Sequence, residues 1–266
     1  MASRILALLF LVLAGSAARA APPDSVFLED LTWPEVRAAT SAGRTTILVP
    51  IGGTEQNGPH MALGKHNARA RWFAEKIARA LGDALVAPVV SYVPEGRIDP
   101  PAGHMRFPGT ISVPEDAFEK VLESAAESFR VHGFKDIVFL EEHGGYRRSL
   151  VRVAARLERE WKGKGARAHA MPVYYEAETK GFAKLLREKG YKESEIGIHA
   201  GLADTSLTLA VDPSLVRKDR LDEAAGNAAE GVRGDPRRAT AQLGRLGADL
   251  VIERTVAAIR KETARR

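Results

Sequence analysis

Four short apolar runs rich in β-branched residues, at 45–51, 84–90, 136–140 and 168–174, recur along the chain with helical periodicity between them. Runs of that length bounded by turn residues fit buried strands. Trp72, Phe73, Ile77 and Leu81 fall on one face of a helix that follows Asn67. Phe118, Val121, Leu122, Ala125 and Phe129 do the same in a helix that Pro114 can start, and Leu150, Ala154, Leu157 and Trp161 in a third. Strand, helix, strand, helix requires parallel strands joined by crossover helices. The predicted fold class is therefore α/β: three layers, αβα, around a mostly parallel central sheet. The stretch 222–242 is polar, rich in Ala, Arg and Gly and poorly periodic, so it is expected to run over the surface before a last helix near 248–261. No internal repeat and no long linker divides the chain, which predicts one domain over 21–266.

The first twenty residues are expected to be an export signal outside that domain. Arg4 gives a positive start, residues 5–14 are apolar, and Ala18-Arg19-Ala20 offers the small-x-small pattern cut before Ala21. The apolar run is about half the ~20 residues that span a bilayer, so no membrane attachment is expected after cleavage. The mature protein is expected in a periplasm or outside the cell. Cysteine is absent, which rules out disulfides and thiolate metal sites. The net charge of +5 is scattered over pairs such as Arg147-Arg148 and Arg237-Arg238, not gathered into the basic stripe that nucleic-acid binding needs.

In open α/β sheets, ligands bind beyond the carboxyl ends of the strands. Two of the loops expected there carry metal-binding chemistry. One holds Glu55, Asn57, His60 and His66 among glycines and a proline; the other holds His143 between Glu142 and Gly144-Gly145-Tyr146. Carboxylate oxygen with imidazole nitrogen is a ligand set for zinc, manganese or iron in a hydrolytic site. A loop histidine can equally be an ordinary surface or hydrogen-bonded residue. No Gly-x-Ser-x-Gly elbow supports a serine hydrolase.

Five blocks then resemble the creatininase family in order: Leu31-Thr32-Trp33; Glu55-Gln56-Asn57-Gly58-Pro59-His60 with Leu63-Gly64-Lys65-His66; His104-Met105-Arg106-Phe107-Pro108-Gly109-Thr110; Glu142-His143-Gly144-Gly145; and His199-Ala200-Gly201 with Asp204-Thr205-Ser206. The resemblance implies the creatininase αβα fold, a homo-oligomer and a small-molecule amide substrate. It makes Glu55 and His143 metal ligands and His199 the proton shuttle beside the scissile amide.

Three positions depart from the family pattern. Asn57 stands where the family has a ligand histidine, His66 where it has the aspartate that bridges two metals, and Asp204 where it has glutamate. A neutral imidazole offers one lone pair to one metal. The expected set is therefore Glu55, His66 and His143 around one divalent ion per subunit, zinc first, with manganese or iron as alternatives. Asn57, His60, His104, Arg106, Tyr146 and Asp204 are expected to support those ligands or line the pocket. The expected function is an exported metal-dependent hydrolase of a non-peptide or small cyclic amide C–N bond. The competing expectation is a non-catalytic binding protein that keeps the pocket without the metal.

Overall fold

The computed structural model describes residues 24–264, so the expected signal at 1–20 and its cleavage point lie outside the described residues. Strands β1 (Thr46–Ile51), β2 (Ala84–Val86), β3 (Asp136–Glu141) and β4 (Arg167–Ala170) form a parallel sheet in the order β2-β1-β3-β4. Thr46 pairs with Asp136 and Ile51 with Glu141, so β1 and β3 end level with each other. The loops that leave them, carrying Glu55 and His143, consequently start side by side.

The helices are α1 (Trp33–Ser41), α2 (Lys65–Leu81), α3 (Glu115–Val131), α4 (Arg147–Glu160), α5 (Pro172–Glu176), α6 (Ala183–Glu188), α7 (Glu193–Ile196), α8 (Leu202–Val211), α9 (Leu221–Ala224) and α10 (Ala241–Thr263). A single π-helical turn, Ala177–Phe182, joins α5 to α6.

Side-chain alternation along the strands divides the core in two. Ile47, Val49 and Ile51 of β1, with Ile137 and Phe139 of β3, pack on Phe118, Leu122, Leu150 and Leu157 of α3 and α4. Leu48, Val138 and Leu140 point the other way, to Phe73 and Ile77 of α2, Leu207 of α8 and Val251 of α10. The three-layer αβα arrangement expected from the sequence is the one observed. Crossing of α10 over α8 depends on Gly244, where a Cβ would lie 1.8 Å from the Ser206 carbonyl oxygen.

Several boundaries differ from the sequence expectation, each for a local reason. The run 84–90 pairs regularly only to Val86, because Pro88 has no N–H for a ladder, and resumes as an isolated bridge at Val90. The run 168–174 ends as a strand at Ala170, since Pro172 occupies the first turn of α5. Val121, expected inward, is 54 % exposed while Phe118 and Leu122 are buried. The last helix begins earlier, where the Thr240 side chain accepts the Leu243 N–H at 3.1 Å. The stretch 222–242 is not merely a surface excursion: Ala224 and Val232 are buried, and Gly231 and Arg233 reach the candidate site.

Candidate metal centre

Glu55 is fully buried just beyond β1, and four imidazoles surround it. His66 Nε2 lies 2.9 Å from Glu55 Oε1. His104 Nε2 and His143 Nε2 lie 3.2 and 3.5 Å from Oε2, and His199 Nδ1 is 3.9 Å from Oε1. The structure thus brings together Glu55, His66, His143 and His199, together with His104. Donor atoms of Glu55, His104 and His143 all lie within 4.8 Å of one another. A zinc–nitrogen bond is about 2.0–2.1 Å, so two ligand atoms on one tetrahedral ion sit roughly 3.3 Å apart. The spacings around Glu55 fit such an ion.

The set of Glu55, His104 and His143 takes in His104 and leaves out His66, whereas the surroundings of the far ring nitrogens separate these two histidines the other way. Behind His66, Nδ1 faces the buried Glu142 carboxylate at 3.8 Å. Behind His143, Nδ1 faces Glu95 at 3.6 Å and accepts the Gly145 N–H at 3.2 Å. A carboxylate behind the imidazole supports a histidine ligand by holding the proton on the far nitrogen, an arrangement open to His66 but not to His143, whose Nδ1 already accepts the Gly145 N–H. His104 resembles His143 in this. The Gln56 amide oxygen accepts the Gly58 N–H at 2.9 Å, which turns its NH2 group toward His104 Nδ1 at 3.0 Å. Nδ1 must then accept, leaving His104 Nε2–H to donate to Glu55.

His199 Nε2 lies 3.0 Å from the Gln56 carbonyl and 3.1 Å from the Gln56 NH2 group; because the carbonyl can only accept, Nε2–H donates to it and the Nδ1 lone pair faces the cavity. Burial lowers its pKa to about 4, which leaves a neutral imidazole able to take a proton. Its position is fixed by Ala200, a non-glycine residue at φ 55°. Burial likewise lowers His143 to about 3 and His66 well below the ordinary histidine value. Burial raises Glu55 to about 7, with Lys65 opposing the rise.

Glu95, which the sequence analysis did not single out, completes this inner region. It is 5 % exposed, and among the described residues neither oxygen has an N–H or hydroxyl partner. Burial and then the neighbouring Glu55 raise its pKa to about 10. A Cβ on Gly53 would lie 2.5 Å from Glu95 Oε1, so this approach needs glycine.

A second charged layer lies beneath His66. Arg69, fully buried on α2, sets Nε 2.6 Å from Glu142 and Nη1 2.6 Å from Asp204, and its Nη2 pairs with Glu178 of the π-helical turn. Lys65, one turn earlier, also pairs with Asp204. Tyr174 O–H donates to the other oxygen of Glu142. Only Asp204 of this network had been expected near the site. It lines the cavity beside Lys65, binds two cations and accepts the Ala200 N–H at 2.9 Å.

Three expected site residues serve the scaffold. The Asn57 amide donates to the Glu55 and Ala62 carbonyls at 2.9 and 3.3 Å and shapes the loop. His60 is tied to Thr205 of α8 at 2.9 Å, so it orients no ligand. Tyr146 O–H donates to the Ile51 carbonyl at 2.7 Å and accepts the His143 N–H at 3.1 Å, locking the two active loops together beneath the cavity. Arg106 lines the cavity, as expected.

The family profile described as creatinine amidohydrolase, the creatininase family, matches residues 29–259. Creatinine amidohydrolase of Pseudomonas putida is 28 % identical over 200 residues, covering 74 % of this chain and 76 % of the relative. Mycofactocin precursor peptide peptidase of Mycolicibacterium smegmatis is 30 % identical over 230 residues, covering 77 % and 81 %. Among solved structures, a mutant creatininase superposes with TM-score 0.75 at 25 % identity, covering 90 % of this chain and 98 % of the other. Structural neighbours include creatininases described as Zn-Zn type and as Mn.

Proposed function

The chain belongs to the creatininase family, and from that premise we propose that it is a hydrolase of a small amide C–N bond with one divalent ion per subunit, zinc before manganese or iron. The ligands are Glu55, His66 and His143, and His104 is a hydrogen-bond donor to Glu55. The carrying observation is that His66, His104 and His143 converge on the buried Glu55 carboxylate, and that the far ring nitrogen of His66 faces a buried carboxylate whereas that of His104 faces an amide donor. With the Asn57 NH2 group turned onto backbone carbonyls, that position offers a second ion only an amide oxygen, a weak ligand beside the histidine of the family pattern.

When bound, the ion supplies Lewis acidity toward the amide carbonyl. The residues do the rest. Neutral His199 takes the proton of the attacking water at Nδ1 and returns it to the leaving nitrogen, while Gln56 fixes the ring through Nε2–H. Water adds across the C–N bond, giving a carboxylic acid and an amine.

Elemental analysis of protein purified without chelator or histidine tag tests this reading. One ion per chain is expected, lost in His66→Ala and His143→Ala and largely retained in His104→Ala. Loss in His104→Ala with retention in His66→Ala would exchange the two histidines. Two tightly held ions would overturn the single-metal site, and none near neutral pH would favour a non-catalytic binding protein. Export and homo-oligomeric assembly belong to the same proposal. N-terminal sequencing should begin at Ala21, and light scattering should give a multiple of the chain mass.

A further inference from the structure

Three cavities converge on His143, and their charges differ. The cavity beside Lys65 also presents Glu178 and Asp204, and the one beside Arg97 presents Glu95 and Glu115. The third, about 270 Å³, has Arg106 and Arg233 in its wall and no carboxylate among its lining residues. His104, His143 and His199 also line it, and Phe107 and Ile198 supply apolar surface. Ile198 is 78 % exposed, a cost in water that a bound apolar group would offset.

Both arginines are held in register with a site histidine. Arg106 ends the short turn Gly103–Arg106 that carries His104. Arg233 is bridged to the segment carrying His199: its N–H donates to the His199 carbonyl at 2.9 Å, and its carbonyl accepts the Ile198 N–H at 2.9 Å. The Arg233 charge reaches far enough to help lower the His104 pKa. Among the described residues, neither guanidinium has an ion-pair or hydrogen-bond partner, whereas Arg147, Arg237 and Arg238 are engaged with carboxylates. Two guanidiniums with free donors, beside apolar surface and a hydrolytic centre, match a carboxylate on a partly apolar molecule.

We propose that Arg106 and Arg233 bind a carboxylate of the substrate, which places it in the class of amides bearing a free carboxylate beside the scissile bond, such as N-acyl amino acids. This inference rests on the hydrolase reading for the reaction but not for the binding. Hydrolysis of such a substrate releases a carboxylic acid and an amino acid.

The test compares hippurate with its uncharged isostere hippuramide by calorimetry, on metal-free and zinc-loaded protein at low salt. Wild-type protein should favour hippurate on the order of tenfold in both forms. Arg106→Ala and Arg233→Ala should each weaken hippurate binding severalfold, and the double variant should bind both compounds alike. Salt should shrink the preference. Both side chains are exposed, so the variants should fold, and their circular dichroism should match wild type. Equal affinities, a preference surviving in the double variant, a preference confined to zinc-loaded protein, or no hippurate binding would each overturn the proposal. A protein that holds no zinc yet keeps the preference would refute the hydrolase reading alone.

Discussion

Replacing Arg69 with Met is the most demanding perturbation of the layer under the metal centre. In the native protein, Lys65 and Arg69 face Glu142, Glu178 and Asp204, and Arg69 touches all three carboxylates. Met fills much of the same volume, so the loss is one of charge and hydrogen bonding, not of packing. Glu142 then keeps only the Tyr174 hydroxyl and the weakly placed His66, in a site with no water access. Breaking a buried ion pair from one side costs about 3–5 kcal/mol. For a domain this size each kcal/mol lowers Tm by about 2–4 °C, so the expected drop is roughly 6–20 °C.

Urea unfolding followed by circular dichroism measures the loss, and pH separates its cause. Burial holds Glu142 at about 8 even with Arg69 beside it, so without Arg69 its folded pKa moves further above the unfolded value near 4.3. A carboxyl whose folded pKa is raised binds its proton more tightly when folded. The gap to wild type should therefore narrow as pH falls from about 10 toward 8, where only the variant takes up the proton, and stay nearly constant below 8, where both folded forms hold it. Adding Glu142→Gln should recover part of the loss at pH 7.5. A Met variant within about 1 kcal/mol of wild type, or a gap unchanged between about pH 10 and 8, would refute the reasoning.

Glu95→Gln replaces a carboxyl that burial and Glu55 hold neutral up to about pH 10 with a neutral amide of the same size, so zinc binding at pH 7 is expected to stay within about threefold of wild type, as read by competition with a chromogenic chelator; a larger loss would show that Glu95 acts as a carboxylate. Zinc affinity should fall as pH drops below about 7, because Glu55 must release a proton to bind the ion; calorimetry in buffers of different ionisation enthalpy should detect about one proton released at pH 6. An affinity flat between pH 5.5 and 7 would contradict that assignment. Ala200→Gly should leave stability unchanged or improve it, because Ala200 sits at φ 55°, whereas Ala200→Val should cost about 1–3 kcal/mol in thermal unfolding.

The sheet was legible in the sequence because its strands are continuous apolar runs and its crossovers keep helical period. The meeting of Glu55, His66, His143 and His199 was legible because level ends of β1 and β3 force the two loops together. What escaped was charge placed against pattern. Lys65 and Arg69 lie a turn apart on α2 and look like a solvated face, yet both are fully buried by partners from α8 and the π-helical turn. Glu95 sits in an irregular segment with no periodicity to give it a direction. The wall built from Gly231 and Arg233 escaped because a polar, glycine-rich stretch carries no signal that it folds back inward.

The π-helical turn at Ala177–Phe182 has a bearing on kinship as well as on packing. Such a turn holds one residue more than an α-helical path of the same span, and is the usual mark of a single insertion into an ancestral helix. One residue turns everything that follows by about 100° around the axis. In this chain the wide turn brings Glu178 onto Arg69 while Phe182 and Leu186 still reach the core. A cousin whose helix runs straight through here is one residue shorter, and pairing the two sequences without a gap would set the wrong side chain against the buried guanidinium.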